Sequence, residues 1–310
     1  VRIAFLGTPP FAASVVDALA RAQHSIAAVV AQPDRPAGRG QALQEPATKV
    51  WAREHGVLVL QPEKVRDGRL AAELSALHPD VLVVAAYGRI LGKDLLELAP
   101  HGAINVHASL LPKYRGAAPI QWAIARGESE TGVTIMQMDA GLDTGDILLQ
   151  RVLAINSDDT SGTLHDRLAV LGGDALVEAL ALLNEGKLVP VRQDEARATL
   201  APVLEKEQGR IDFSLPASAL ASRIRGFTPW PGAFTSLGGK ILKVHRAWAA
   251  RAATTQAAPG ETFHSDEGWA VACAEGTALV LAEVQLEGRK RLPASEFLKG
   301  LASPKVALGS

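Results

Sequence analysis

Short apolar runs and amphipathic stretches take turns along the first part of the chain. Residues 1–6 and 25–31 are apolar runs, and residues 10–21 between them carry apolar positions at helical spacing, with Pro10 in the first turn. The alternation continues with a predicted helix at 46–55 closed by Gly56, a strand at 57–61, a helix at 67–77 and the strand DVLVVAAY at 80–87. Further strands are predicted at 102–108, 133–139 and 146–155, and helices at 117–126 and 163–184, the latter capped by Ser161 and ended by Gly186. Strands that are apolar throughout need cover on both faces. Residues 1–189 are therefore expected to form an α/β domain with a Rossmann-like, mostly parallel sheet and helices on both faces.

The pattern changes at 190–208, a polar stretch containing Pro202 that reads as a linker. Beyond it, a helix at 217–225 precedes short strands at 233–237, 240–248, 269–273 and 277–284, and a short helix follows at 294–300. Gly238-Gly239 marks a hairpin turn. Several short strands between 209 and 310 predict a small OB-like β-barrel domain.

Composition narrows the function. A chain of 310 residues exceeds one ordinary core, in line with two domains. No apolar run reaches the ~18–20 residues that span a bilayer. The first residues lack the charged start and long apolar centre of a leader, so a cytoplasmic protein without a membrane partner is expected, with a monomer as the default. Cys273 is the only cysteine, which excludes an internal disulfide and a cysteine-rich zinc site; the 8 histidines are scattered, and no metal is expected. The net charge of −1 argues against a globally basic nucleic-acid binder, but it is uneven. Residues 209–310 hold 12 Lys and Arg against 8 Asp and Glu, whereas residues 1–208 hold 20 against 25. The second part has room for a polyanion, although a split of this size is also ordinary surface variation.

The densest chemistry lies between 102 and 147. Asn105 and His107 stand two apart on a predicted strand, so both point to one side. Asp143 is bracketed by Gly141 and Gly145, where a freed backbone can present a carboxylate to the same cleft. Amide, imidazole and carboxylate together suit the movement of an acyl group. Each has a plainer reading: a strand-end amide, a hydrogen-bonded core histidine, and a turn-closing aspartate with Asp139 and Asp146 equally near. Their convergence on one sheet edge favours chemistry. Next in the chain, Pro112 holds Leu111 extended; backbone groups of Leu110 and Leu111 are expected to stay free for a planar heterocycle. Residues 32–41, QPDRPAGRGQ, form a long polar loop whose Arg35 and Arg39 suit phosphates or base edges, or simply solvent. Gly7-Thr8-Pro9 matches neither GxGxxG nor a P-loop, so neither nucleotide site is expected.

Taken in order, VRIAFLGTPPFA, QPDRPAGRG, AAYGRIL, GAINVHASLLPKYRGAAPIQWAI, ETGVTIMQMDAGLDTGDIL and TPWPGAFT resemble the folate-dependent formyltransferase superfamily over nearly the whole chain. The PDRPAGRG loop and the second domain resemble its methionyl-tRNA formyltransferase family. The resemblance implies transfer of the formyl group of 10-formyltetrahydrofolate, a co-substrate, to the α-amino group of methionine on initiator methionyl-tRNA, for translation initiation. It implies a catalytic trio of Asn105, His107 and Asp143, and folate contacts at Ser109, Leu110, Leu111 and Pro112. It further implies a pterin pocket lined by Ala85, Ala86, Tyr87, Gly88, Ile90 and Leu91. Arg35 and Arg39 are implied at the acceptor end of the tRNA, with residues 209–310 as an OB-like tRNA-binding domain. Gln41, Ala42 and Val203 stand where related enzymes often have Lys, departures that touch tRNA contacts and leave the chemistry alone. Formyltransferases acting on a sugar-nucleotide or ribotide amine, and a 10-formyltetrahydrofolate hydrolase, are rivals that share the trio.

Overall fold

The computed structural model describes every residue except 38–41, 252–254, 302, 304 and 310. The chain forms two compact units. The first holds Val1–Pro119, Glu130–Ala154 and His165–Pro202; the second holds Ile120–Ser129, Ile155–Leu164 and Val203–Ser310.

The chain begins with β1 (Arg2–Gly7), α1 (Pro10–Arg21), β2 (Ser25–Val30), β3 (Arg35–Ala37), β4 (Ala42–Gln44), α2 (Ala47–Glu54) and β5 (Val59–Leu60). It continues with α3 (Arg69–Ser75), β6 (Val81–Ala85), α4 (Lys93–Leu96), β7 (Ala103–His107), α5 (Pro119–Ala125), β8 (Glu130–Gln137), β9 (Ile147–Ala154) and α6 (Ser161–Asn184). Seven strands form one sheet in the order β5-β2-β1-β6-β7-β8-β9. The first five of that order run parallel; β8 runs antiparallel to β7, and β9 antiparallel to β8. From β1 the chain winds one way to β2 and β5, then returns to wind the other way through β6 and β7. The reversal lies between β1 and β6, where open α/β sheets leave a crevice at the strands' carboxyl ends.

Both faces of the sheet are covered, as the unbroken apolar strands require. On one face Ala4, Leu6, Val30, Leu82 and Val84 pack with Leu70 and Leu74 of α3 and Leu95 of α4. On α1, Phe11, Val15 and Leu19 fall on one buried stripe at four-residue spacing. The 24-residue helix α6 carries Gly172-Gly173 in its interior, a costly choice for a helix. Close approach explains it. A Cβ at Gly172 would stand 3.0 Å from Val106 Cγ1, and one at Gly173 would stand 2.6 Å from Ala18 Cβ. The expected cap of this helix needs correction. Ser161 is its first residue and spends its hydroxyl on the Thr228 carbonyl at 2.7 Å, while Thr160 Oγ1 accepts from the Thr163 N–H.

Three further differences from the sequence pattern have local causes. Within and just after the stretch read as a loop at 32–41, β3 pairs antiparallel with β4, both strands too short and polar to show a period; residues 38–41 of that stretch lie outside the described residues. Helix α4 is a single turn. The segment read as a linker lies along the first unit: Val191 bridges to Ile147, Leu200 bridges to Arg115, and Ala201 is fully buried.

The second unit contains α7 (Ala217–Gly226), β10 (Ala233–Leu237), β11 (Lys240–Ala249), β12 (Thr262–Ser265), β13 (Gly268–Ala272), β14 (Ala278–Leu286), β15 (Leu292–Pro293) and α8 (Ala294–Leu298). Its antiparallel sheet runs β10-β11-β14-β13-β12, with β15 added to β14. Leu220 and Ile224 of α7 close its core against Leu242, Trp269, Val271, Leu279 and Leu281. Strand β12, TFHS, has too little apolar character to be predicted.

Candidate active site

The carboxyl ends of β6 and β7 carry the site. Strand β7 pairs with β6 through Asn105 opposite Val84, and with β8 through His107 opposite Thr134. Its alternation sends Val106 toward α6 and turns Asn105 and His107 to the other face. Asn105 is partly exposed, and among the described residues nothing hydrogen-bonds its carboxamide. His107 is buried, with 6 % of its surface exposed.

The histidine tautomer follows from its neighbours. His107 Nε2 lies 2.9 Å from the Tyr114 carbonyl oxygen. A carbonyl can only accept, so Nε2 carries a hydrogen and the neutral ring keeps its lone pair on Nδ1. Asp143 Oδ2 faces that atom at 3.7 Å, within ion-pair range and too far for a direct hydrogen bond. Nδ1 is therefore the ring position open to exchange a proton, with the Asp143 carboxylate beside it.

Asp143 is held in a demanding conformation. Its φ is +53°, a left-handed value that non-glycine residues adopt only where surroundings fix it. Oδ2 accepts from the Gly116 N–H at 2.8 Å. The Asp143 and Gly145 carbonyls accept from Gln193 Nε2 at 2.9 and 2.7 Å. Asp139, a competing candidate, closes the turn by accepting from Gly141 N and Thr144 Oγ1. Gly145 is required here because a Cβ would lie 1.8 Å from the Gln137 carbonyl oxygen.

A cavity of about 1140 Å³ lies in the first unit; Ile104, the neighbour of Asn105, lines it, whereas Asn105, His107 and Asp143 do not. Its apolar wall includes Ile90, Leu91, Leu96, Ile104 and Met138, and Arg66, Lys93, Asp94, Glu97 and Asp139 are among its charged lining residues. Of the six residues expected around a pterin, Ile90 and Leu91 line this space. Ala85 is buried within β6, and Tyr87 packs into the α3–α4 core. Ala86 and Gly88 turn the chain at φ values of +45° and +74°. Gln32 Nε2 fixes that turn by donating to the Tyr87 carbonyl at 2.7 Å.

The Ser109–Pro112 stretch behaves differently from expectation. The Leu111 N–H donates to Thr134 Oγ1, its carbonyl accepts from Gln150 Nε2, and the Leu110 carbonyl accepts from Lys113 N. These groups are already used inside the protein, because β8 and β9 reach under the loop with polar side chains. Ser109 is fully buried and donates to the Lys113 carbonyl; Pro112 is partly exposed. Arg35 is exposed on β3, and Arg39 lies outside the described residues. Gly7 serves packing, since a Cβ there would lie 2.7 Å from the Ala85 carbonyl oxygen.

Sequence reasoning missed Arg115, Gln193 and Glu195. Arg115 is 5 % exposed, yet its guanidinium donates to Gln193 Oε1 and makes a two-pronged pair with Glu195 at 2.8 Å. That pair holds the Glu195 carboxyl below the usual range and raises Arg115. Among the described residues no group of three or more His, Cys, Asp or Glu is placed to hold a metal ion. Among them, too, no helix is long and apolar enough to cross a membrane.

A mainly parallel sheet with amide and imidazole at one strand's carboxyl end, and a loop carboxylate facing the imidazole, defines an α/β enzyme equipped for acyl-group transfer. The chain belongs to the formyl transferase family: residues 1–180 match the formyl transferase domain, and 203–302 match the formyl transferase C-terminal domain. A methionyl-tRNA formyltransferase of Anaeromyxobacter dehalogenans is 67 % identical over 100 % of both chains. Among solved structures, the fold is shared with an N-formyltransferase from Helicobacter canadensis in complex with folinic acid and dTDP-3-aminofucose. That match has a TM-score of 0.67 at 17 % identity and covers 91 % of this chain and 98 % of the other. It is also shared with HypX from Aquifex aeolicus in complex with tetrahydrofolic acid, at a TM-score of 0.64 and 20 % identity, over 97 % of this chain and 48 % of the other.

Proposed function

We propose that this chain transfers the formyl group of 10-formyltetrahydrofolate to the α-amino group of methionine on initiator methionyl-tRNA, in the cytoplasm where translation begins. One observation carries the reading: a chain 67 % identical from end to end to a methionyl-tRNA formyltransferase keeps Asp143 in ion-pair reach of His107. Folate supplies the activated formyl group. The cavity that Ile104 shares is the candidate place for it: the apolar wall of Leu91, Ile104 and Met138 suits a planar ring, Arg66 and Lys93 suit a carboxylate tail, and the formyl group would have to reach past Ile104 to Asn105 and His107.

The residues divide the work. Attack by the amine forms one C–N bond and places negative charge on the formyl oxygen. Asn105, whose carboxamide has no protein partner among the described residues, donates an N–H to that oxygen, a contribution of roughly 3–4 kcal/mol in comparable sites. The amine then loses a proton and the folate nitrogen gains one as its bond to carbon breaks. His107 relays that proton at Nδ1, with Nε2 anchored on the Tyr114 carbonyl and Asp143 stabilising the charged ring. Arg35 and Arg39, with the more basic second part of the chain, receive the tRNA phosphates.

The test supplies purified protein with 10-formyltetrahydrofolate and charged initiator tRNA, and in parallel with an amino-sugar nucleotide, an amino ribotide, or water alone. Formyl-methionine appearing only in the first arm is the expected result. Faster transfer to one of the small amines, or to water, would overturn the assignment.

A further inference from the structure

The turn that presents Asp143 is gripped from two sides by one segment. Gln193 reaches in from residues 190–202, 5 % exposed, and its single nitrogen donates to the carbonyls of both Asp143 and Gly145. Its oxygen accepts from two nitrogens of Arg115, at 3.0 and 2.7 Å, which fixes the carboxamide so that it can only donate toward the loop. Arg115 is itself locked by Glu195 from the same segment. Its backbone N–H donates to the Thr199 carbonyl, and its carbonyl accepts from Ala201 N. The next residue, Gly116, supplies the N–H that holds Asp143 Oδ2. Residues 193–201 therefore restrain both the carbonyl and the carboxylate of Asp143.

We propose that Gln193 is a positioning residue for the formyl transfer, holding Asp143 in its left-handed turn so that the carboxylate faces His107 Nδ1. A polar side chain this deeply buried, with oxygen and nitrogen both committed, is costly unless every bond is made. A carboxamide of that reach both donates to two carbonyls and accepts from Arg115, which a lysine of similar size cannot do. The inference rests on the proposed reaction for its kinetic reading, and on the geometry alone for its spectroscopic one. Among the described residues Asp143 is the ionisable group in ion-pair reach of His107, and Arg115 stands behind Asp143.

Gln193→Glu is the informative variant. It keeps oxygens for Arg115 but replaces the two N–H donors by a carboxylate that repels both carbonyls. The expected kcat for formyl transfer is about 10²-fold lower, as a displacement of about 1 Å at a reacting group produces. KM for folate and for tRNA stays within about threefold, because neither binding surface is touched. Combined with Asp143→Asn, the variant is expected to be no slower than Asp143→Asn alone, since the two act through one carboxylate. In ¹⁵N spectra of the full chain without substrate, the His107 Nδ1 signal is expected to move in Gln193→Glu. That shift is independent of what the enzyme formylates, so a wrong acceptor and a wrong role for Gln193 give different results. Should Gln193→Glu fold poorly, Gln193→Met leaves the Arg115–Glu195 pair intact and reads the same signals. Wild-type kcat with an unmoved Nδ1 signal overturns the proposal, as does a loss that multiplies with that of Asp143→Asn.

Discussion

At the scale of single residues, the site is built on a division between groups that are satisfied and groups that are not. His107 has one nitrogen fixed and one open, and Asn105 has a carboxamide that the described protein leaves free. Replacing Asn105 by Ala is therefore expected to lower kcat by about 10²–10³-fold, because the oxyanion exists only along the reaction path. Tm and tRNA affinity should stay near those of the parent; steady-state kinetics with a thermal melt checks both, and an unchanged kcat removes Asn105 from the mechanism. The buried Cys273 thiol is pushed up to about 11 by burial, so it stays protonated and is expected to resist alkylation at pH 8 until the chain unfolds. Mass spectrometry after iodoacetamide, with and without denaturant, reads this directly. Asn105 and His107 were legible in the sequence because a strand's alternation needs no tertiary information, and Asp143 because two glycines flagged its loop. Gln193 was not. Its partners lie 48 to 78 residues away, and a glutamine in a polar stretch has no period to betray it.

At the scale of elements, two segments show how local chemistry holds backbone in place. Gly116 has φ +118°, and a Cβ there would lie 2.7 Å from the Ala201 carbonyl oxygen. Gly116→Ala is expected to cost about 1–3 kcal/mol through backbone strain alone, and to loosen the segment that steadies Asp143. A lowered Tm together with a lowered kcat is the expected pairing; a parental Tm would show that the turn relaxes freely. The second case is the base of the β3–β4 hairpin. Lys49 pairs with Asp34 at 2.6 Å and with Glu45 at 3.2 Å, and these bonds hold both carboxyls below their usual range. The sign follows: this contribution is complete above the ordinary carboxylate range and fades as pH falls through the lowered values. Amide protection at residues 42–45 and 47–48, taken relative to the intrinsic exchange rate at each pH, is expected to fall on acidification, and Lys49→Ala should remove most of that pH dependence. The hairpin itself escaped the sequence pattern because strands of three residues with a proline, RPA against ALQ, show no alternation. The longer strands and α1 were plain because burial of a whole face imposes a period.

At the scale of the whole molecule, charge and topology decide more than any one contact. Residues 209–310 carry the excess of Lys and Arg, and the first part carries the excess of acid. Binding of a tRNA should release counterions while binding of folate releases few. KM for tRNA is therefore expected to rise steeply with KCl and KM for folate to change little, and Arg35→Ala should flatten the tRNA slope by about one unit per lost phosphate contact. Equal salt sensitivity for the two substrates would argue that tRNA phosphates contribute little. The two-part organisation was readable from the change in hydrophobic rhythm. What composition hid was that residues 190–202 dock instead of merely connecting, since docking here uses isolated bridges and buried polar groups in place of an apolar stripe. The large sheet ends in β5, only two residues long, and in β9, where Val191 already occupies the hydrogen-bonding position beside Ile147. Stray strands from neighbouring chains thus find one rim too short to template growth, which limits edge-to-edge aggregation on that side of a Val- and Leu-rich sheet.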